Sequence, residues 1–317
     1  MQAVTPHDID GRRMAHALED IRGRAFGRWH SMQYGGMQLS DLAEMRDELL
    51  DHAAARIAND PSLDTPLRHV LHTAAECSLG LLSVGCFPNG DQEILLPLVG
   101  EQLSSEKTAF HDIVNEAPTA TQWIETFELC LISGLVWEWR RVIGGLLRED
   151  YAPAIRDGVP YSTFESVSQP ADRAQMDALA EYLTPTSGHL PSGRPTVTLS
   201  KPGADERAEA ARRLDAAGPL APDQSLLRCL LDDDQPAFER LLVAHLNEYR
   251  DSIGDDPVPR TLLPTGPLAV AALAVQVHGW QLGVHSAYLP QALLGSPDAP
   301  ARAAATGPNN LGGWVAR

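Results

Sequence analysis

The sequence predicts an all-α protein, built mainly of antiparallel helices with one small β-hairpin near residues 81–99. Three observations predict this class. Apolar residues recur every three or four positions in several long segments, some of these segments begin with a helix-capping residue, and a single short stretch has the signals of a hairpin. At 317 residues the chain is long enough to bury a substantial core without disulfides or metals.

The first hundred residues contain three predicted helices. One runs from about residue 10 to residue 33 and ends at a Gly-Gly pair. The next follows an apolar stripe from Leu39 to Ile57, begins at Ser40 and ends before an Asn-Asp-Pro sequence. The third runs from about residue 66 to residue 83, and its dense apolar positions indicate deep burial.

A turn at residues 87–91, Phe-Pro-Asn-Gly-Asp, separates two short apolar pieces, Leu81–Cys86 and Ile94–Val99. Asn-Gly is typical of a two-residue hairpin turn. We therefore expect these two pieces to pair as a small antiparallel excursion from the helical fold.

Thr119 and Gln122 have the spacing of a capping box, so a long helix is predicted to begin there. It carries Trp123 and further aromatic residues and is expected to continue to Gly144-Gly145. Dense aromatic residues of this kind can line a ligand pocket, but they are more typical of core packing.

The rest of the chain divides into a connector, a second helical region and a tail. Residues 184–203 are rich in proline and glycine and predict an exposed, mobile connector. It joins an N-terminal region, 1–183, to a C-terminal region, 204–294, which we expect to pack on the first as one continuous domain. Residues 295–317 have lost all apolar periodicity and predict a disordered tail.

A helical hairpin is predicted at residues 225–250. Two helices, Ser225–Leu231 and Ala237–Arg250, are joined by the sequence Asp-Asp-Asp-Gln-Pro. Asp234 is placed to cap the second helix, and Pro236 lies in its first turn, where no backbone donor is needed. A helix that is apolar on nearly all sides follows at Leu268–Val277 and is therefore expected to be buried.

Charge limits the classes of partner. The chain has 25 Lys and Arg against 42 Asp and Glu, a formal net charge of −17, which repels phosphate backbones and anionic lipid. We expect neither nucleic acid nor a membrane as a partner, although an acidic surface attracts basic proteins. The N-terminus has no secretory signal pattern, so a cytoplasmic protein is expected. The four scattered cysteines are expected to be reduced and buried.

Motif searches give no enzymatic signature. The sequence lacks a GxSxG nucleophile elbow, a phosphate-binding GxxxxGK[ST] loop, a GxGxxG turn and an HExxH metal motif. Its histidines are spread out, and His278 and His285 do not share one helix face. We therefore predict no catalytic residue, no metal and no cofactor.

The segment from Phe238 to Leu294 contains the amphipathic sequence FERLLVAHLNEYR, the apolar sequence TGPLAVAALAVQVHGW and a closing Ser-Ala-Tyr-Leu-Pro at 286–290. In this order the three sequences resemble the C-terminal part of the immunity protein 49 family of bacterial polymorphic toxin systems. Weaker similarity extends upstream through 225–234 and 121–147. The resemblance implies an all-helical cytoplasmic antitoxin that binds and blocks a cognate toxin and has no chemistry of its own.

Six residues are candidates for contact with a partner. A toxin that binds phosphate, such as a nuclease, is often basic. The three aspartates of the turn at 232–234, with the two of the next loop at 255–256, could therefore belong to the surface that meets it, although helix capping and solvation also explain them. Tyr288 is a candidate aromatic anchor, although it could instead tie the end of the chain to the core. Two other classes stay open: a helical-repeat scaffold, and an enzyme with a dispersed site. The candidate contact residues are Asp232, Asp233, Asp234, Asp255, Asp256 and Tyr288.

Overall fold

The structure, a computed structural model, describes residues 2–138, 142–159, 164–186, 196–297 and 299. It is mainly helical with a few short strands, which confirms the predicted fold class. The helices are α1 Gly11–Leu18, α2 Ile21–Tyr34, α3 Leu39–Asn59, α4 Thr65–Cys86, α5 Ala120–Ile132, α6 Ile143–Gly145, α7 Ala152–Asp157, α8 Pro170–Ala180, α9 Ala204–Ala216, α10 Pro222–Leu231, α11 Gln235–Ser252, α12 Thr265–Gln276 and α13 Gln291–Leu294.

Local capping sets where the N-terminal helices begin. The single helix predicted for residues 10–33 is two helices, because the Asp20 carboxylate accepts a hydrogen bond from the Gly23 backbone and starts α2 anew. The capping box at Thr119 and Gln122 is confirmed at the start of α5. However, α5 ends at Ile132 and not at Gly144, because Gly134 adopts a left-handed conformation with φ of 81°.

The predicted hairpin exists, but its strands differ from those expected. Residues 81–86 are the last part of α4, whose buried stripe continues through them. The hairpin is formed instead by β2 Glu93–Leu96 and β3 Glu101–Ser104, with Ile94 opposite Leu103. The Asn-Gly sequence therefore joins a helix to a strand, and the hairpin turn lies at residues 97–100.

Strands also occur at both ends of the predicted connector. β4 Leu183–Thr186 pairs antiparallel with β5 Thr196–Leu199, and the Ser200 backbone N–H donates to the Tyr182 carbonyl at 2.8 Å. Residues 187–195 lie outside the described residues. The predicted tail, apart from 295–297 and 299, also lies outside them.

The core surrounds α12, in which every residue from Gly266 to Gln276 is buried. α12 packs on α5 from the N-terminal region and on α10 and α13 from the C-terminal region. One hydrophobic cluster includes buried residues of both regions. Two further segments, β1 Gln2–Val4 and β6 Val284–Ser286, pair in parallel and join the beginning of the chain to the segment after α12.

Candidate partner-binding surface

The turn between α10 and α11 holds Asp232, Asp233 and Asp234, and two of the three have the local partners that a helical hairpin supplies. Asp234 accepts from the Ala237 backbone N–H at 3.0 Å, which confirms it as the N-cap of α11. Asp232 accepts from Arg228 Nη1 at 2.6 Å, one helical turn earlier, and stays exposed. Much of the negative charge of this turn is therefore compensated within the chain.

Asp233 is bound by residues from distant parts of the chain. Its carboxylate accepts from Lys201 Nζ at 2.5 Å and from His278 Nδ1 at 2.8 Å, and Arg207 Nη2 lies 3.5 Å away. Its backbone is left-handed, with φ of 61°, a conformation that Asp tolerates. Burial opposes ionisation, but the hydrogen bonds from Lys201 and His278 outweigh it and lower the pKa of Asp233.

His278 connects Asp233 to the core. Its Nε2 accepts from the Tyr182 hydroxyl at 2.9 Å while its Nδ1 donates to Asp233. Burial lowers the pKa of His278 to about 4, so the ring is neutral at pH 7 with its proton on Nδ1. The order Tyr-His-Asp resembles a proton relay, but the Tyr182 and His278 side chains have no exposed surface that a substrate could reach. The chain of hydrogen bonds holds the turn against the segment that follows α12.

The second acidic pair lies at the other end of α11. Asp256 forms an ion pair with Arg13, and Asp255 is exposed without an ion pair to any described residue. The 18 residues of α11 separate this loop from the first acidic turn by about 27 Å, at 1.5 Å per helical residue. Only a contact surface as long as α11 could include both clusters.

Tyr288 is fully buried, with 0% of its surface exposed. Its hydroxyl donates to His7 Nδ1 at 2.6 Å and accepts from the His7 backbone N–H at 3.1 Å. His7 Nε2 in turn donates to Thr261 Oγ1 at 2.8 Å. Tyr288 thus ties the N-terminal segment to the C-terminal region, which agrees with the alternative interpretation of this residue and leaves it no surface for a partner.

Sequence reasoning missed an acidic groove beside the β2–β3 hairpin. We use this name for the cavity of about 510 Å³ between α4, the hairpin β2–β3 and the π-helical segment Leu146–Tyr151. Asp91, Glu93 and Glu106 line it from the hairpin side, and the buried carboxyl of Glu76 lines it from α4. One signal was available: residues 87–118 contain six Asp and Glu, one Lys and no Arg.

The described residues contain neither a metal-binding cluster nor a helix that could span a membrane. No three His, Cys, Asp or Glu side chains in the described ranges come close enough together to hold a metal ion. None of the helices described combines the length and apolar composition that crossing a bilayer requires.

Comparison with known families identifies the chain. The model of the family described as Immunity protein 49 matches residues 59–293, from the last residue of α3 to within α13. The chain belongs to the immunity protein 49 family. The match contains the acidic groove, both acidic clusters of α10–α12 and Tyr288, whereas β1, α1 and α2 of this immunity protein 49 member precede it. Neither the search of curated proteins nor that of solved structures found a match.

Proposed function

We propose that this protein is an immunity protein that binds a cognate bacterial toxin and neutralises it by stoichiometric blockade in the cytoplasm. The family match over residues 59–293 is the observation that carries the proposal. Blockade requires complementary surfaces and no chemistry by the immunity protein, so neither a cofactor nor a catalytic group is needed.

Charge supports a basic toxin as the partner. A net charge of −17 attracts a basic protein over a distance and raises the rate of encounter at low salt. Nuclease toxins are one basic class, because they bind phosphate. Of the sequence-derived candidates, Asp232, Asp255 and Asp256 are exposed and are proposed to add to this attraction, whereas Asp233, Asp234 and Tyr288 stabilise the fold.

Co-expression tests the proposal. The polypeptide encoded by the neighbouring reading frame is expressed in a bacterial host alone, with this chain, and with a variant of this chain that does not fold. Protection by the folded chain only, together with co-purification of the two proteins in equal amounts, is the expected result. Toxicity that persists with the folded chain would contradict the proposal.

A further inference from the structure

We propose that the acidic groove is the docking site for a basic segment of the partner, whose Lys or Arg side chains enter the cavity. This inference rests on the proposed function, because it names the toxin as the protein that carries the segment. It differs from the sequence expectation, which placed the contact at the turn between α10 and α11.

The exposed carboxylates of the groove lack cationic partners among the described residues. Asp91, Glu93 and Glu106 are exposed, and none of them forms an ion pair with any residue that the structure describes. In contrast, Asp232 is paired with Arg228, and Asp233 is paired with Lys201 and Arg207. The groove therefore offers negative charge that the described parts of the chain leave uncompensated, and a basic partner would complement it.

The groove also contains a polar side chain that has no partner among the described residues. Ser104 lines the groove and is 7% exposed, yet its hydroxyl makes no hydrogen bond to a described residue. It lies opposite Glu93 in the β2–β3 register, so the two side chains share one face of the hairpin. The Ser104 side chain is therefore largely buried but has no partner within the described residues, and a donor that enters between Ser104 and Glu93 could bond to both groups.

Part of the groove lining is apolar. Leu79 of α4 and Ile143, Leu146 and Tyr151 on the opposite side line the cavity. Lys and Arg side chains bury their aliphatic stems against such surfaces while their charged ends reach carboxylates. Leu146 and Tyr151 are five residues apart in the π-helical segment, the spacing of one π-helical hydrogen bond, and both line the groove.

The spread of the carboxylates favours a peptide segment over an ion. A metal would require three ligating groups at one point, and the described residues contain no such group. A cavity of about 510 Å³ with charges along its rim instead fits several atoms of an extended side chain. An arginine-rich or lysine-rich segment supplies both the charges and the length.

The test compares two variants with equal change in charge. The groove variant carries Asp91→Asn, Glu93→Gln and Glu106→Gln, and the control carries Glu165→Gln, Asp205→Asn and Glu248→Gln, all exposed positions. A tetra-arginine peptide is titrated calorimetrically into each variant and the wild type at low salt. We expect the groove variant to weaken binding about tenfold and the control to weaken it less than twofold. Equal weakening of peptide binding in both variants, or no binding to the wild type, would overturn the assignment of the groove as the docking site.

The same three proteins are then mixed with the polypeptide encoded by the neighbouring reading frame in a stopped-flow experiment. We expect association with the groove variant to be about tenfold slower at low salt and less dependent on salt. Unchanged association with the groove variant would overturn this inference and leave the immunity function standing. If the wild type binds the peptide in the groove but fails to bind or neutralise the toxin, the proposed function fails and the basic-segment site remains.

Discussion

Each carboxylate in the turn between α10 and α11 has a different role, because each faces a different set of donors. Asp234 accepts from a backbone N–H, Asp232 from the arginine one turn earlier, and Asp233 from Lys201 and His278. The cap was predictable because its partner is three residues away. The role of Asp233 was not, because Lys201 and His278 are far from it in the sequence. For Tyr288 the sequence suggested a tie to the core as an alternative, but its partner His7, near the start of the chain, could not be named.

Asp233→Asn removes one negative charge but keeps a residue type that tolerates a left-handed backbone. The charged hydrogen bonds from Lys201 and His278 would be weakened, so we expect the free energy of unfolding to fall by about 1–3 kcal/mol. Urea denaturation measures this change. The matched control is Asp232→Asn at the exposed neighbour, for which we expect a loss below about 0.5 kcal/mol. Equal losses in both variants would contradict the assigned roles.

His278 gives the fold a dependence on pH. Its pKa is lowered from 6.5 to about 4 by burial, so below pH 6.5 the unfolded chain binds a proton that the folded chain does not. The part of the free energy of unfolding that depends on neutral His278 is therefore fully present above pH 6.5. It falls by up to about 3 kcal/mol as the pH approaches 4. Burial also lowers the pKa of His7, His52 and His72, which adds to the slope. We expect His278→Gln to have a smaller loss between pH 7 and pH 5 in urea denaturation. If the free energy of unfolding of the variant depended on pH as it does in the wild type, His278 would be excluded as a source of the pH dependence.

At the scale of elements, α4 and the hairpin meet at a close contact. Gly80 faces Ile94 so closely that a Cβ atom at Gly80 would lie 2.7 Å from Ile94 Cδ1. We expect Gly80→Ala to lower the free energy of unfolding by about 1–3 kcal/mol, because the packed hairpin would have to shift. The control is Gly27→Ala on the exposed side of α2, where a Cβ would meet no atom within 4 Å. Thermal unfolding of both variants tests the contact, and equal stabilities would contradict it.

Helices and strands that depend on residues close together in the sequence were predictable. Those that depend on contacts between distant residues were not. The stripe of α3 and the capping box of α5 depend on residues within one or two turns. The Asn-Gly signal near α4 was outweighed by core packing, which extends the helix to Cys86. β4 and β5 occur at the ends of a stretch rich in proline and glycine, and their pairing depends on residues at least ten positions apart.

At the scale of the whole molecule, β1 pairs with β6, and His7 bonds to Tyr288, so the two ends of the described chain stabilise each other. Tyr288→Phe would remove the hydroxyl that two His7 groups contact. We expect it to lower the free energy of unfolding by about 1 kcal/mol and to leave association with the toxin unchanged. Slower association at unchanged stability would show that Tyr288 is a partner contact.

The distribution of charge is also a property of the whole molecule. The sequence predicted an acidic surface from the net charge, but it could not show which carboxylates are compensated by cations brought near by the fold. In the structure the acidic turn is largely compensated, while the carboxylates of the hairpin are not paired within the described residues. The proposed contact therefore moves from the turn to the groove.

Neutralisation by blockade requires that this chain bind the toxin, and a calorimetric titration measures that binding. The purified chain is titrated with the polypeptide encoded by its neighbouring reading frame at low and at high salt. We predict one-to-one binding that weakens as salt rises, because part of the attraction is between a chain of net charge −17 and a basic partner. No binding at either salt would contradict neutralisation by blockade.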